Sequence, residues 1–421
     1  MSDLALFGGK PVRTQAFPPH PVIGEAEKRA VMAVLDSGKL SGFIAAPGDA
    51  FLGGAKVREF EERFAAYHGV RFAVAFNSAT SALHAAVVAV GVEPGEEVIV
   101  TPYSFTASAS CVLMHNAVPV FADVEDRTFG LDPEAVARAI TPRTRAILPV
   151  HLFGHPVRMD GLLAIAHEHG LKIIEDCAQS PGAMHHEHRV GTIGDCGVFS
   201  FTENKNIATG EGGMLITDDE EIAQTARLVR NHGEAVWGSM ADAPATNSIL
   251  GWNYRMTEIE AAIGMVQFER MDDLNAVRAE LAHYLTNALS DIDGLTPPVI
   301  EDGCTHSFYL YAMRYNEAVL GIPRQEFVRA LNAEGVPFGA GYVPPLYRGP
   351  IYHQKQPVCL RSARQAPDYG DGTSPVCERL HEQELIVTPT ARHPATVADM
   401  DDVVRAIRKV LAHREAFLQT T

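Results

Sequence analysis

The sequence predicts an α/β protein: a largely parallel sheet covered on both faces by helices, followed by a smaller α+β domain. Three observations carry this expectation. From about Arg71 to Thr217 short apolar runs alternate with stretches of helical spacing. A long amphipathic stretch, MTEIEAAIGMVQFERMDDLNAVRAELAHYLTNAL, then intervenes and is suited to joining domains. From roughly Asp291 on, strand-like and helix-like segments mix. We place the N-terminal arm and large domain at residues 1–280 and the small C-terminal domain at 281–421.

In the first region the strand candidates are FAVAF, EVIVT, VPVFA, TRAILPV, LKIIED, CGVFSF and GMLIT. The helix candidates between them are SALHAAVVAV, the segment after Ser104, PEAVARAI and GLLAIAHEH. Strands separated by helices pair in parallel, and both faces of the resulting sheet are buried. EIAQTARLVRNHG follows as a helix with a glycine stop, and residues 234 to 252 have no regular pattern. In the small domain SFYLYAMRY and GVPFGAGYV are strand-like, whereas RQEFVRALNAEG and VADMDDVVRAIRKVLAHREAF are helical. Residues 351 to 376 are rich in Pro, Gly and polar residues and predict a long loop.

The chain has 421 residues, of which 46% are hydrophobic and 21% charged, enough for a sizeable core. A formal charge of −17 argues against nucleic acid or an anionic membrane as principal partner and favours a small polar ligand. No basic segment followed by an apolar one opens the sequence, and no uncharged stretch approaches the ~20 residues that span a bilayer. The expected location is the cytoplasm. Six cysteines without a C-x-x-C pair read as buried or free thiols.

Three polar sites stand at the carboxyl ends of predicted strands, where open α/β sheets bind ligands. After FAVAF, Asn77 or Ser78 caps a helix whose first free N–H groups, near Ala79 and Thr80, are suited to phosphate; an ordinary cap explains the residues equally. LKIIED ends in Glu175 and Asp176, followed by Cys177, Ala178 and Gln179; a carboxylate there serves as ligand contact, metal ligand or turn residue. Ser200 ends CGVFSF, and Lys205 follows on a glycine-rich loop, where a solvated cation is the plain alternative. Jointly, an anion cradle, a carboxylate and an amine on one sheet edge are the parts that hold pyridoxal phosphate.

At these residues the chain resembles the DegT/DnrJ/EryC1/StrS aminotransferases, which act on keto sugars and cyclitols. The resemblance runs from LFGGKPVR through NSATSAL, VIVTPYSFTASA, PVHLFGHPVRMD, IIEDCAQSPGA, FSFTENKNIATGEGGMLIT and GWNYRMTEIEAAIGMVQ. It implies the type I fold of pyridoxal-phosphate-dependent transferases, with a mostly parallel seven-stranded sheet. It further implies that Lys205 is the Schiff-base lysine, that Asp176 partners the pyridine nitrogen and that Gln179 lies near the ring hydroxyl. Ala79, Thr80 and Ser200 would hold the phosphate, and Phe105 would lie on one face of the ring. Asn253 would reach in from the second subunit of a homodimer.

Relatives that act as sugar dehydratases carry histidine at the lysine position, so Lys205 favours transamination. The implied reaction moves an amino group from L-glutamate or L-glutamine to a ketone. Relatives acting on nucleotide sugars commonly show a histidine two residues before the tyrosine of the small-domain strand. Here Tyr309 precedes Tyr311, which shifts weight towards keto-cyclitols, with a nucleotide-linked keto sugar as the alternative. A dehydratase and a non-catalytic cofactor-binding regulator are the remaining rivals. The run HHEH, His185 to His188, is expected to be an exposed turn and no metal site, because neighbouring side chains seldom converge on one ion.

Overall fold

Seven strands with the predicted alternation form one sheet in the order β1-β9-β8-β5-β4-β2-β3. They are β1 Phe72–Phe76, β2 Glu97–Val100, β3 Val118–Phe121, β4 Thr144–Leu148, β5 Lys172–Asp176, β8 Cys196–Ser200 and β9 Gly213–Thr217; β6 Met184–His185 and β7 His188–Arg189 make a separate hairpin. All seven run parallel except β9, which is antiparallel to both neighbours. The computed structural model describes residues 3–46, 48–233, 249–355, 357–362, 367 and 369–417. Most of the irregular stretch expected at 234 to 252 therefore lies outside the described residues.

Period-two alternation decides which core each strand residue joins. In β1, Val74 and Phe76 face one apolar layer while Ala73 and Ala75 face the other. The helices that cover the sheet are α1 Glu25–Ser37, α2 Ala55–His68, α3 Ala79–Ala89, α4 Ala107–Met114, α5 Pro133–Ala139, α6 Met159–His169, α7 Glu220–Arg230, α8 Glu258–Glu269 and α9 Met271–Leu289. Side-chain caps start several of them: Ser78 accepts from the Ser81 N–H, and Asp132 and Asp219 each accept two first-turn N–H groups.

The single long helix expected from Met256 to Leu289 is two. Arg270 leaves the helical region at φ −102°, ψ 0° and closes α8 before α9 begins. Packing explains the break. Ala261 and Met265 of α8 and Met271 and Leu274 of α9 belong to the large-sheet core, whereas Leu281, Leu285 and Leu289 belong to the core of the small domain. A straight rod could not face both layers.

In the small domain β10 Leu295–Thr296, β11 Tyr311–Tyr315, β12 Gly339–Ala340 and β13 Leu385–Thr388 form an antiparallel sheet in the order β10-β11-β13-β12. It packs on the helices Arg324–Ala333 and Val397–Ala412. The strand expected across SFYLYAMRY starts only at Tyr311, because Phe308 takes a left-handed backbone (φ 46°) that no strand accommodates. Leu4 is fully buried in this core, and Glu334 accepts from the Ala5 and Val12 N–H groups, so the first residues lie against the small domain. The region 351 to 376 carries the short helices Pro350–His353 and Val358–Ser362 as well as loop.

Candidate active site

A cavity of about 590 Å³ opens beyond the carboxyl ends of β1, β2, β5 and β8. Its wall includes Ala79 and Thr80 at the start of α3, Phe105 before α4, Asp176 and Gln179 after β5, and Ser200 and Lys205 after β8. Seven of the eight residues singled out in the sequence are thus brought to one place. Asn253 is not; it is exposed, bridged to Asn231, and its side-chain oxygen accepts from Arg255 Nε at 2.8 Å.

Strand alternation separates the two acids of LKIIED. Glu175 points away from the cavity, where its carboxylate accepts from His151 Nε2 at 3.0 Å and from the N–H groups of Gly191, Ile193 and Gly194 at 2.7–2.8 Å. Burial opposes its ionisation, but the His151 contact and these N–H donors outweigh it and hold the carboxyl below its ordinary range. Glu175 is a structural anchor for the 191–194 turn. Asp176 points into the cavity, with Ser108 Oγ donating to Oδ2 at 2.8 Å and the Ala178 N–H donating to Oδ1 at 3.0 Å. Here burial wins over those hydrogen bonds and over the attraction of Lys205, and the carboxyl is pushed up.

The loop carrying Lys205 is closed by backbone bonds from Phe201 N–H to Gly212 O and from Thr209 N–H to Phe201 O. Next to it, Asn206 Nδ2 donates to Asn275 Oδ1 at 2.8 Å and to Ser307 O at 2.9 Å. His20 Nε2 donates to the Lys205 carbonyl at 2.9 Å, tying the N-terminal segment to the same loop. Burial keeps that imidazole neutral, lowering it to about 4. The Lys205 ammonium lies 4.3 Å from the centroid of the Tyr309 ring. Burial lowers the amine to about 8, with Asp176 pulling in the opposite direction. Burial, not a cationic neighbour, is what lowers the amine.

Phe105 is 59% exposed at the cavity mouth. Gln179 is held on both ends: its Oε1 accepts from the Phe153 N–H at 2.9 Å and its Nε2 donates to Tyr342 Oη at 3.3 Å. At the start of α3, Ser81 N–H turns back to the Ser78 hydroxyl, while the N–H groups of Ala79 and Thr80, residues that line the cavity, precede the first intrahelical donor, Ala82 N–H. Gly213 makes this approach possible. A Cβ there would lie 2.5 Å from Ala79 N, so Gly213→Ala should separate β9 from α3 and destabilise the protein by about 1–3 kcal/mol, read by chemical denaturation.

Sequence reasoning missed Ser108, Tyr342 and the wall role of Tyr309. Ser108 carries no local signal beyond helical spacing, and Tyr342 arrives from a segment more than 160 residues distant from Gln179 in the chain.

A buried amine and a buried carboxylate thus face one cavity at the edge of a parallel sheet, a site suited to amine chemistry. The chain belongs to the DegT/DnrJ/EryC1/StrS aminotransferase family, whose sequence profile matches residues 23–379. It is a pyridoxal-phosphate-dependent aminotransferase of the sugar and cyclitol group. It is 36% identical over 422 residues to the L-glutamine:2-deoxy-scyllo-inosose aminotransferase of Streptoalloteichus tenebrarius, covering 97% of this chain and 98% of the relative. GDP-perosamine synthase of Caulobacter vibrioides is 41% identical over 288 residues, 67% of this chain and 75% of the relative. Among solved structures, DesI in the presence of its TDP-sugar product superposes with a TM-score of 0.83 at 30% identity, covering 99% of both chains. No helix among the described residues is long and apolar enough to cross a membrane.

Proposed function

We propose that this chain transfers an amino group from L-glutamine or L-glutamate to the ketone of a keto-cyclitol or keto-sugar, with pyridoxal phosphate held in the cavity beside Lys205. The observation that carries the reading is the sharing of one cavity by the buried Lys205 amine and the buried Asp176 carboxylate. The residues fit the cofactor. Asp176 is an acceptor fixed by two hydrogen bonds, and the helix start at Ala79 and Thr80 offers N–H groups to an anion.

Pyridoxal phosphate, when bound, supplies an aldehyde that carries the amino group between donor and acceptor and a ring that draws electrons from the substrate Cα–H bond. An ionised Asp176 would hold a proton on the ring nitrogen, which would sustain that withdrawal. Ala79 and Thr80 N–H and the Ser200 hydroxyl would bind the phosphate, and Phe105 would cover a ring face. Lys205 Nζ, which burial lets lose its charge from about pH 8 upward, would take the proton from the substrate Cα. Asn253, exposed and outside its own cavity, is suited to serve the site of a second subunit, which supports a homodimer.

The keto-cyclitol is the preferred acceptor, because Tyr309 walls the cavity where nucleotide-sugar relatives commonly carry histidine, and because a close relative acts on 2-deoxy-scyllo-inosose. A nucleotide-linked keto sugar is the second reading, favoured by the likeness to GDP-perosamine synthase and to DesI. The test is a panel. The yellow holoenzyme should lose its visible absorbance on addition of glutamine or glutamate and regain it with a productive ketone. Recovery with scyllo-inosose-type ketones and not with nucleotide-linked ketones supports the first reading, and the reverse supports the second. An absorbance unmoved by every donor overturns the transferase.

Burial of the amine has a kinetic consequence. Only the uncharged amine attacks an aldehyde, so reconstitution of cofactor-free protein should quicken as pH rises and level off above about 8. Stopped-flow absorbance checks this; a rise continuing to the ordinary lysine range, ~10.4, would mean a hydrated pocket.

A further inference from the structure

The run HHEH proves to be less bland than its sequence. It forms the tight hairpin β6–β7, and the side chains of His185 and His186 are joined there by Asp160, from the first turn of α6. One ligand-capable atom from each of the three lies within 4.8 Å of the other two. The His186 Nε2 to Asp160 Oδ2 distance is 3.6 Å. Two ligands of a tetrahedral zinc ion, each about 2.1 Å from the metal, stand about 3.4 Å apart.

The arrangement is held from outside the hairpin. His186 N–H donates to Gly303 O at 2.8 Å, Met184 N–H donates to Thr305 Oγ1 at 2.8 Å, and Thr305 N–H donates back to Met184 O at 2.9 Å. His185 also forms an isolated bridge with Cys304. His186 has a left-handed backbone, φ 53°, a conformation that costs a non-glycine residue about 1–3 kcal/mol and persists where the surroundings impose it. Its ring seats on Gly303 from the Nδ1 side: a Cβ at Gly303 would lie 2.4 Å from that atom. The Nε2 edge is thereby turned to Asp160. The two imidazoles meet edge to face with centroids 4.5 Å apart. His185 is buried, while the side chains of His186 and Asp160 are 53% and 77% exposed, so an ion has access and room for water ligands.

We propose that Asp160, His185 and His186 form a binding site for a divalent transition-metal ion of the zinc class, separate from the catalytic cavity. Two imidazoles and one carboxylate suit zinc, nickel or copper and are poor ligands for magnesium or calcium, which prefer all-oxygen shells. The ion would staple α6 to the hairpin, and through the hairpin to residues 303–305 just ahead of Tyr309.

The test uses untagged holoenzyme freed of metal with a chelator and titrated with zinc chloride, reading stoichiometry by calorimetry and Tm by thermal unfolding. Wild type should bind one zinc per chain with micromolar or tighter affinity, and its Tm should rise with zinc. His186→Gly relieves the backbone strain, so its metal-free Tm should equal or exceed that of the wild type while the zinc-dependent rise disappears. Asp160→Asn should weaken zinc binding at least tenfold. Magnesium should leave Tm unchanged. Absence of zinc binding in the wild type, an unchanged zinc response in both variants, or an equal response to magnesium would each overturn the proposal. None of these readouts depends on transamination, so they succeed or fail independently of the proposed reaction.

Discussion

Lys205→Ala is expected to lower transamination by at least ~10⁴-fold while leaving the fold intact. In the proposed reaction the amine serves twice, as the attachment point of the cofactor and as the base at the substrate Cα, and loss of a positioned base alone costs about 10²–10⁴. The alanine leaves a void beside Tyr309 but removes an amine that burial already penalises, so the cofactor-free variant should melt no lower than the wild type. The decisive measurement is borohydride reduction followed by mass analysis. Wild-type chain should gain the reduced cofactor and the variant should not. Attachment retained in the variant would assign the chemistry to another lysine.

Asp176→Asn is expected to reduce turnover by about 10²–10³, the range for loss of one preorganised electrostatic contact. Asparagine keeps the size of the side chain but not the charge that, in the proposed reaction, holds a proton on the ring nitrogen. In the cofactor-free protein the same change removes a carboxylate that burial drives towards the neutral form, so stability should hold even as activity falls. Pairing the kinetic measurement with denaturation separates the two effects. Equal losses of activity and stability would make Asp176 a structural residue like its neighbour Glu175. Asp176→Glu, which restores the charge but lengthens the arm against Ser108, should recover only part of the rate.

The large sheet was legible because its signal is local. Each of its strands is a short apolar run, and β1 to β4 each sit between helices, so pattern and tertiary burial agree. The small domain was less so. Its strands are two to five residues long, shorter than the apolar runs around them, and Phe308 interrupts one run with a backbone conformation that composition does not announce. The break at Arg270 was invisible for a related reason: Met256 to Leu289 is helix-forming throughout, and only the need to serve two cores turns it.

At the site, the placement of Ser78, Asp176, Ser200 and Lys205 at the ends of the parallel strands β1, β5 and β8 was enough to bring cradle, acid and amine together, since parallel strands deliver their carboxyl ends to one edge. What the order of residues determined by itself was therefore which groups meet. Which of two adjacent acids faces the cavity, how far burial depresses the Lys205 amine, and whether His185 and His186 find a carboxylate in Asp160 were decided only by the folded chain. Orientation, dielectric and long-range approach depend on neighbours from distant segments, and a linear pattern carries no measure of any of them.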